Sequence, residues 1–272
     1  MRRGSRRHHL LRFWAGLPLL APIAVGQGLW TRRNAVRLPP VLDDTAAGVR
    51  PDDGSDNGPG DASGDVSDGE TPLRLLVVGE STAVGVGATR PEAALAPRLA
   101  DALHREQGRP VRWQVVGENG IRAAGLAQKL RRHRDLLGAD VAVVLLGAND
   151  TSGLSSVPRW LRDLGSVLSL LGERCERIFV APVPPFHLFR LLPYPLRWLL
   201  GHRGLALCDA RRALARPGRV IVMEGEFPRE RRYLATDGYH PSDVAYETWA
   251  NQIAEVIKNN PLDGIVEVPP QP

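Results

Sequence analysis

Between Thr71 and Lys258 the sequence alternates near-continuous apolar runs with stretches of helical periodicity, and this restricts the fold more than any other feature of the chain. The runs LRLLVVG (73–79), RWQVVG (112–117), ADVAVVLLG (139–147), ERIFVAP (176–182) and RVIVMEG (219–225) predict strands. Several are almost wholly Val, Ile and Leu, the pattern of parallel strands covered on both faces. Between them, Leu95, Leu99 and Leu103 share one helical stripe. Leu126 with Leu130, and Leu161 with Leu164, Leu168 and Leu171, do the same. PSDVAYETWANQIAEVIK (241–258) predicts a closing helix. Strand–helix alternation at this spacing predicts a doubly wound parallel sheet with right-handed crossovers. In such sheets ligands bind beyond the carboxyl ends of the strands. The 272 residues suit one domain of roughly 200 residues with extensions.

Two segments precede this domain. Residues 1–42 hold eight Arg and no acid, and Phe13 to Trp30 carries no charge. That apolar length approaches the ~20 helical residues that span a bilayer, and Trp14 and Trp30 stand near its ends. It predicts a membrane anchor or an export signal, with Ala24-Val25-Gly26 as a weak cleavage site, and hence a membrane-associated or cell-envelope location. Pro18, Pro22 and Gly26 disfavour a helix there, and the competing expectation is a helical extension packed on the domain. Residues 43–70 set nine acids against Arg50 among Gly and Ser, which predicts a disordered acidic linker. A loosely held tail is expected over 259–272. The net charge of +5 is thus dispersed outside these segments, and no basic stripe interleaved with aromatics points to nucleic acid. Cys175 and Cys208 lack metal-ligand spacing and read as separate thiols. Neither a metal nor a cofactor is expected.

Four short blocks fall where the predicted strands end. The first, Gly79-Glu80-Ser81-Thr82, satisfies neither G-x-x-x-x-G-K-[ST] nor G-x-G-x-x-G. Ala83 also breaks the G-x-S-x-G elbow. Ser81 is left as a nucleophile or as a helix cap. The second block is VVGENGIRAAGL. In the third, Gly147-Ala148-Asn149-Asp150, Asn149 either stabilises a turn or aims an amide at a developing oxyanion. In the fourth, TDGYHPSD (236–243), Asp237 stands three residues before His240 on a turn entering the last helix. That spacing lets the carboxylate hold Nδ1 and leaves Nε2 to act as a base.

In order and spacing these blocks resemble the SGNH (GDSL-type) hydrolases across about 190 residues, from Leu73 to Lys258. The resemblance implies a flavodoxin-like three-layer α/β/α sandwich that hydrolyses esters or thioesters without metal or cofactor. By it, Ser81 is the nucleophile, His240 the base and Asp237 its orienting carboxylate. Asn149 and backbone N–H groups of Ser81 and of Ala123 or Gly120 form the oxyanion hole. Glu80 replaces the family's Asp beside the nucleophile, and Ala123 falls where the family has glycine. The expected substrate is an acyl or acetyl ester. The alternatives are a lipid-directed lysophospholipase or thioesterase, and a catalytically silent binding module on the same fold. Substrate choice is expected in residues 184–204 (PPFHLFRLLPYPLRWLLGHRG), with Phe186, Phe189, Leu192, Tyr194, Trp198 and Leu199 at the mouth. His187 and His202 are not assigned to the site. A long apolar groove would favour lipid, and a shallow polar cleft a glycan ester.

Overall fold

Five parallel strands and one antiparallel edge strand form a single sheet in the order β1-β3-β2-β4-β5-β6 in the computed structural model. Residues 3–51, 71–189, 191–225, 227–228 and 230–261 are described. The strands are β1 (Ala47–Arg50), β2 (Leu73–Gly79), β3 (Val111–Gly117), β4 (Ala139–Leu145), β5 (Cys175–Val180) and β6 (Val220–Val222). The helices are α1 (Arg3–Asn34), α2 (Leu95–Gln107), α3 (Ala123–Arg132), α4 (Ala148–Ser152), α5 (Val157–Gly172), α6 (Leu196–Arg211) and α7 (Asp243–Lys258). Without β1, the parallel strands have the flavodoxin-like order, and the direction of winding reverses beside β2.

Side chains alternate between two cores, as the period of 2 in a strand requires. Leu75, Val77, Val143 and Phe179 pack toward α2 and α7 on one face. Leu76, Val78, Ala142, Val144 and Ile178 pack toward α3 and α5 on the other. This two-sided burial is what the unbroken Val/Leu runs encode. Cys175 and Cys208 are free thiols.

Three regions differ from expectation. Ala47–Arg50, inside the stretch assigned to linker, forms β1 and pairs with β3 from Ala47↔Gln114 to Arg50↔Val111. Composition hides so short a strand among acids. It is held by the free edge of β3 and by Gly48, whose missing side chain leaves room for the Trp113 indole. The linker expectation for 52–70, and the tail beyond Pro261, lie outside the described residues. β6 ends at Val222 rather than at 225, with Met223 N–H donating one further bond to Val180 O at 2.9 Å.

α1 runs unbroken through Pro18 and Pro22. It rests on α6, with Phe13, Leu17, Leu20 and Ala24 against Leu196, Trp198 and Leu199. Gln27 secures the start of α6 by donating to Tyr194 O (2.7 Å) and accepting from Leu196 N–H (3.0 Å). Its opposite side leaves Leu11, Leu19, Ile23, Leu29 and Trp30 exposed.

Candidate active site

The turn after β2 lies at the point where strand order reverses, and its geometry depends on Gly79. A Cβ there would come within 2.2 Å of Leu145 O, so only glycine lets β2 approach the end of β4 this closely. Glu80 N–H then donates to Leu145 O at 3.0 Å, and the chain winds through Ala83 N–H to Glu80 O (2.8 Å) and Val86 N–H to Ser81 O (3.0 Å). Ser81 does not cap α2, which begins at Leu95 with Ala94 as its N-cap. Its Oγ instead stands 3.1 Å from His240 Nε2.

Asp237 fixes His240 from the other side. Its Oδ2 is 2.6 Å from Nδ1 of the imidazole, while Oδ1 accepts from the backbone N–H groups of Tyr239 (2.9 Å) and His240 (3.0 Å). A carboxylate partner requires the hydrogen on Nδ1, which leaves Nε2 to accept from the Ser81 hydroxyl. Burial alone would raise the Asp237 carboxyl. The His240 ring and the two backbone donors outweigh it and hold the group below its ordinary value.

The last helix is tied to the loop after Ser81. Asp243 accepts from Thr89 N–H (2.9 Å) and Oγ1 (2.6 Å), and the buried Tyr246 hydroxyl donates to Val86 O at 2.7 Å. Gly87, with φ +98, would place a Cβ 2.4 Å from Pro241 O, so glycine permits this close approach. These contacts bring residues 159 apart in sequence into hydrogen-bond reach.

The expected oxyanion donors divide into two groups. The N–H groups of Ser81 and Gly120 have no partner among the described residues. Ala123 N–H donates to Asp150 Oδ2 at 3.0 Å, which corrects its assignment as a free donor. The buried Asp150 also accepts from Ser155 Oγ at 2.6 Å, a support that motif reading missed. Asn149 Nδ2 is engaged twice, by Glu80 Oε2 at 2.7 Å and Ile121 O at 3.2 Å. Glu80 further accepts from Ala148 N–H (2.8 Å) and Asn149 N–H (3.0 Å), so its longer side chain joins the turn after β2 to the turn after β4.

Glu80 is buried, and burial pushes its carboxyl up to about 7. The N–H bonds from Asn149 and Ala148 oppose this rise, and the Asp150 charge adds to it. The folded protein therefore binds this proton more tightly than the unfolded chain does. The resulting stability is complete below 4.5, the group's ordinary value, and is lost as pH rises through about 7. Relative to Glu80→Gln, the wild type is expected to lose about 3 kcal/mol of unfolding free energy across that window. Urea titration at several pH values measures it, and a pH-independent difference would mean that the carboxyl titrates normally.

A cavity of about 400 Å³ opens beside Ser81 and His240. The 184–204 insert contributes less to it than expected. Of the six apolar residues assigned to the mouth, Phe189 alone lines it. Phe186, Phe189 and Leu192 pack together near Tyr239. Trp198 and Leu199 are taken up by α1, and Tyr194 is exposed. Most of the wall comes from α7 and the segment after β6. A partly apolar second stripe on α7 (Ala245, Trp249, Val256) was the available sequence signal for this.

Comparison with known proteins agrees with the fold. The sequence is 28% identical over 183 residues to a GDSL-like esterase of Mycobacterium tuberculosis, covering 64% of this chain and 58% of that one. The chain thus spans little more than half the length of that relative. The fold is similar to a lipase/acylhydrolase from Enterococcus faecalis, with TM-score 0.51 and 19% identity over 69% of this chain and 96% of that one. It is also similar to TesA, with TM-score 0.54 and 17% identity over 70% of this chain and 100% of that one. Residues 77–248, the span holding all four blocks, match the GDSL-like Lipase/Acylhydrolase family. The chain belongs to that family.

Proposed function

We propose that the protein is a carboxylic ester hydrolase that works through an acyl-enzyme on Ser81. The observation carrying this reading is the hydrogen-bonded series Asp237–His240–Ser81, with distances of 2.6 and 3.1 Å, at the carboxyl end of the central strand. His240 Nε2 takes the hydroxyl proton as Ser81 Oγ bonds to the ester carbonyl carbon. The carbonyl oxygen, now an anion, is met by Ser81 N–H and the Asn149 amide. The longer Asn149 bond, to Ile121 O, is the one it displaces, while the bond to Glu80 keeps the amide oriented. Collapse breaks the C–O bond, and the leaving alkoxide takes the proton from Nε2. Water then attacks the acyl-enzyme, giving its proton to His240, and the acid leaves as that proton returns to Ser81.

A fluorophosphonate probe tests this reading. Peptide mapping is expected to find the label on Ser81, with hydrolysis of p-nitrophenyl acetate lost in step. An unlabelled Ser81 would instead favour the silent binding module.

Membrane contact through α1 belongs to the same proposal. Within α1, the 28 residues Arg7–Asn34 are long and apolar enough to cross a bilayer. Docked on α6, it presents Leu19, Ile23 and Trp30 outward between arginine clusters suited to anionic headgroups. The full chain is expected to float with phosphatidylglycerol-containing vesicles, and Leu19→Glu/Ile23→Glu to reduce that fraction severalfold. Equal flotation of the two would remove α1 from the reading.

A further inference from the structure

We infer that the crevice between α1 and the turn joining α4 to α5 binds a single-chain organic anion, a carboxylate on a short hydrocarbon tail, with Arg203 as its charge partner. This site shares no lining residue with the cavity beside Ser81 and stands independently of the esterase reading.

Three observations carry it. The first is a buried cation without a counter-ion. Arg203, on α6, is 4% exposed. Its Nη2 donates to Ser155 O, its guanidinium carbon lies 5.2 Å from the centre of the Phe13 ring, and its Nε has no acceptor. Among the described residues no carboxylate pairs with it. Asp150, linked to the same Ser155, is occupied by Ala123 N–H and Ser155 Oγ. Burial pulls the Arg203 guanidinium below its ordinary value, and no neighbouring charge opposes that shift. A charge buried in this condition is costly, and an anion beside it compensates it.

The second observation is space. A cavity of about 270 Å³ opens at Arg203. Leu10, Trp14 and Leu17 of α1, spaced to share one helix face, line one side. Leu154, Val157 and Pro158 line the other. Ser156 also lines it, but its hydroxyl caps α5 by accepting from Arg159 N–H at 3.3 Å. Arg203 is thus the only charged group on the lining among the described residues. At the ~30 Å³ that a water takes in the liquid, the space holds about nine non-hydrogen atoms. That admits an eight-carbon acid nearly whole and excludes the two chains of a diacyl lipid.

The third observation is the rim. Trp14 and Leu154 stand on opposite walls and are 60% and 57% exposed. Leu154 is also the one non-glycine residue with a left-handed backbone among the described residues, at φ +55. Leucine is disfavoured in that conformation, and glycine would relieve it. The turn thus holds a large apolar side chain at the cavity mouth against backbone strain, and a hydrocarbon tail between Leu154 and Trp14 covers both. Apolar walls ending in one unpaired guanidinium select a chain with a single negative head. A neutral alcohol leaves the charge uncompensated, and a cation is repelled by it. The guanidinium fork also suits carboxylate oxygens better than other heads of this size.

The test is binding of ω-bromooctanoic acid to the full-length protein, read by quenching of tryptophan fluorescence and by calorimetry. The matching bromo-alcohol and bromo-ammonium compounds are the comparisons. The acid is expected to quench and to bind at least tenfold more tightly than the alcohol, with the ammonium weaker still. Trp14→Phe should remove most of the quench while calorimetry still detects the acid. Arg203→Gln should weaken the acid at least tenfold and leave the alcohol unchanged. Arg203 is interior, so Leu154→Gly supplies a variant that relieves the positive φ and has little packing to lose. It should melt no lower than wild type and weaken the acid about fivefold. Equal affinity for acid and alcohol, an undiminished quench in Trp14→Phe, or unchanged binding in both Arg203→Gln and Leu154→Gly overturns the site. Competition of the acid with p-nitrophenyl acetate that Arg203→Gln leaves intact would place it in the Ser81 cavity, and overturns the site equally.

Discussion

Ser81→Ala is expected to lower kcat for p-nitrophenyl acetate by about 10⁵–10⁶-fold, the scale on which removal of a nucleophile acts in serine hydrolases. At 1.36 kcal/mol per factor of ten, this is roughly 7–8 kcal/mol of barrier. The fold has little reason to suffer. The substitution removes one hydroxyl and one bond to His240, a net loss of about 1 kcal/mol of stability. Residual activity above the rate in water comes from the oxyanion donors and from substrate binding, which the substitution leaves in place. Adding His240→Ala to the same chain should cost almost nothing further, because a base has no role without the hydroxyl it deprotonates. A variant that retains a tenth of wild-type activity would place the nucleophile elsewhere.

Asp237→Asn is the second large effect, expected at about 10⁴-fold in kcat with KM nearly unchanged. The reason lies in how the two carboxylate oxygens are used. Oδ1 accepts from the N–H groups of Tyr239 and His240, and an Asn side-chain oxygen can keep both bonds, so the turn should survive. The atom facing His240 Nδ1 then becomes an NH2 group. It donates where the carboxylate accepted, moving the imidazole hydrogen to Nε2, where it blocks acceptance of the Ser81 proton. Asp237→Ala removes the turn bonds as well, and should lose thermal stability that Asp237→Asn keeps. Equal kcat for wild type and Asp237→Asn would show that the carboxylate does not orient the base.

Particular residues show how much was legible in the sequence. The strand runs predicted β2, β3, β4 and β5 to within a residue or two, because burial on both faces keeps most of their positions apolar. The Asp237–His240 pairing was legible because a three-residue spacing on a turn is a local geometric matter. The identity of Ser81's partner was less direct. Taken alone, that serine read first as a helix cap, and only the blocks downstream favoured another role.

Other features were out of reach for a physical reason. β1 exists because β3 has a free edge, and four residues within an acidic stretch carry too weak a pattern to announce it. Glu80 could be identified as a substitution in a motif. That its extra methylene captures the Asn149 amide depends on two turns 69 residues apart meeting at the sheet's end. The loss of Ala123 as a free donor likewise depends on Asp150, 27 residues away.

The sequence by itself determined the fold class, since periodicity acts over short spans of chain, and its resemblance to a known family brought Ser81, Asn149, Asp237 and His240 forward as a set. Tertiary structure alone decided that Ala123 N–H is taken by Asp150, that α7 and the segment after β6 supply most of the cavity wall, and which half of the 184–204 insert is covered by α1. Those outcomes follow from distances between segments remote in sequence, and no local pattern encodes them.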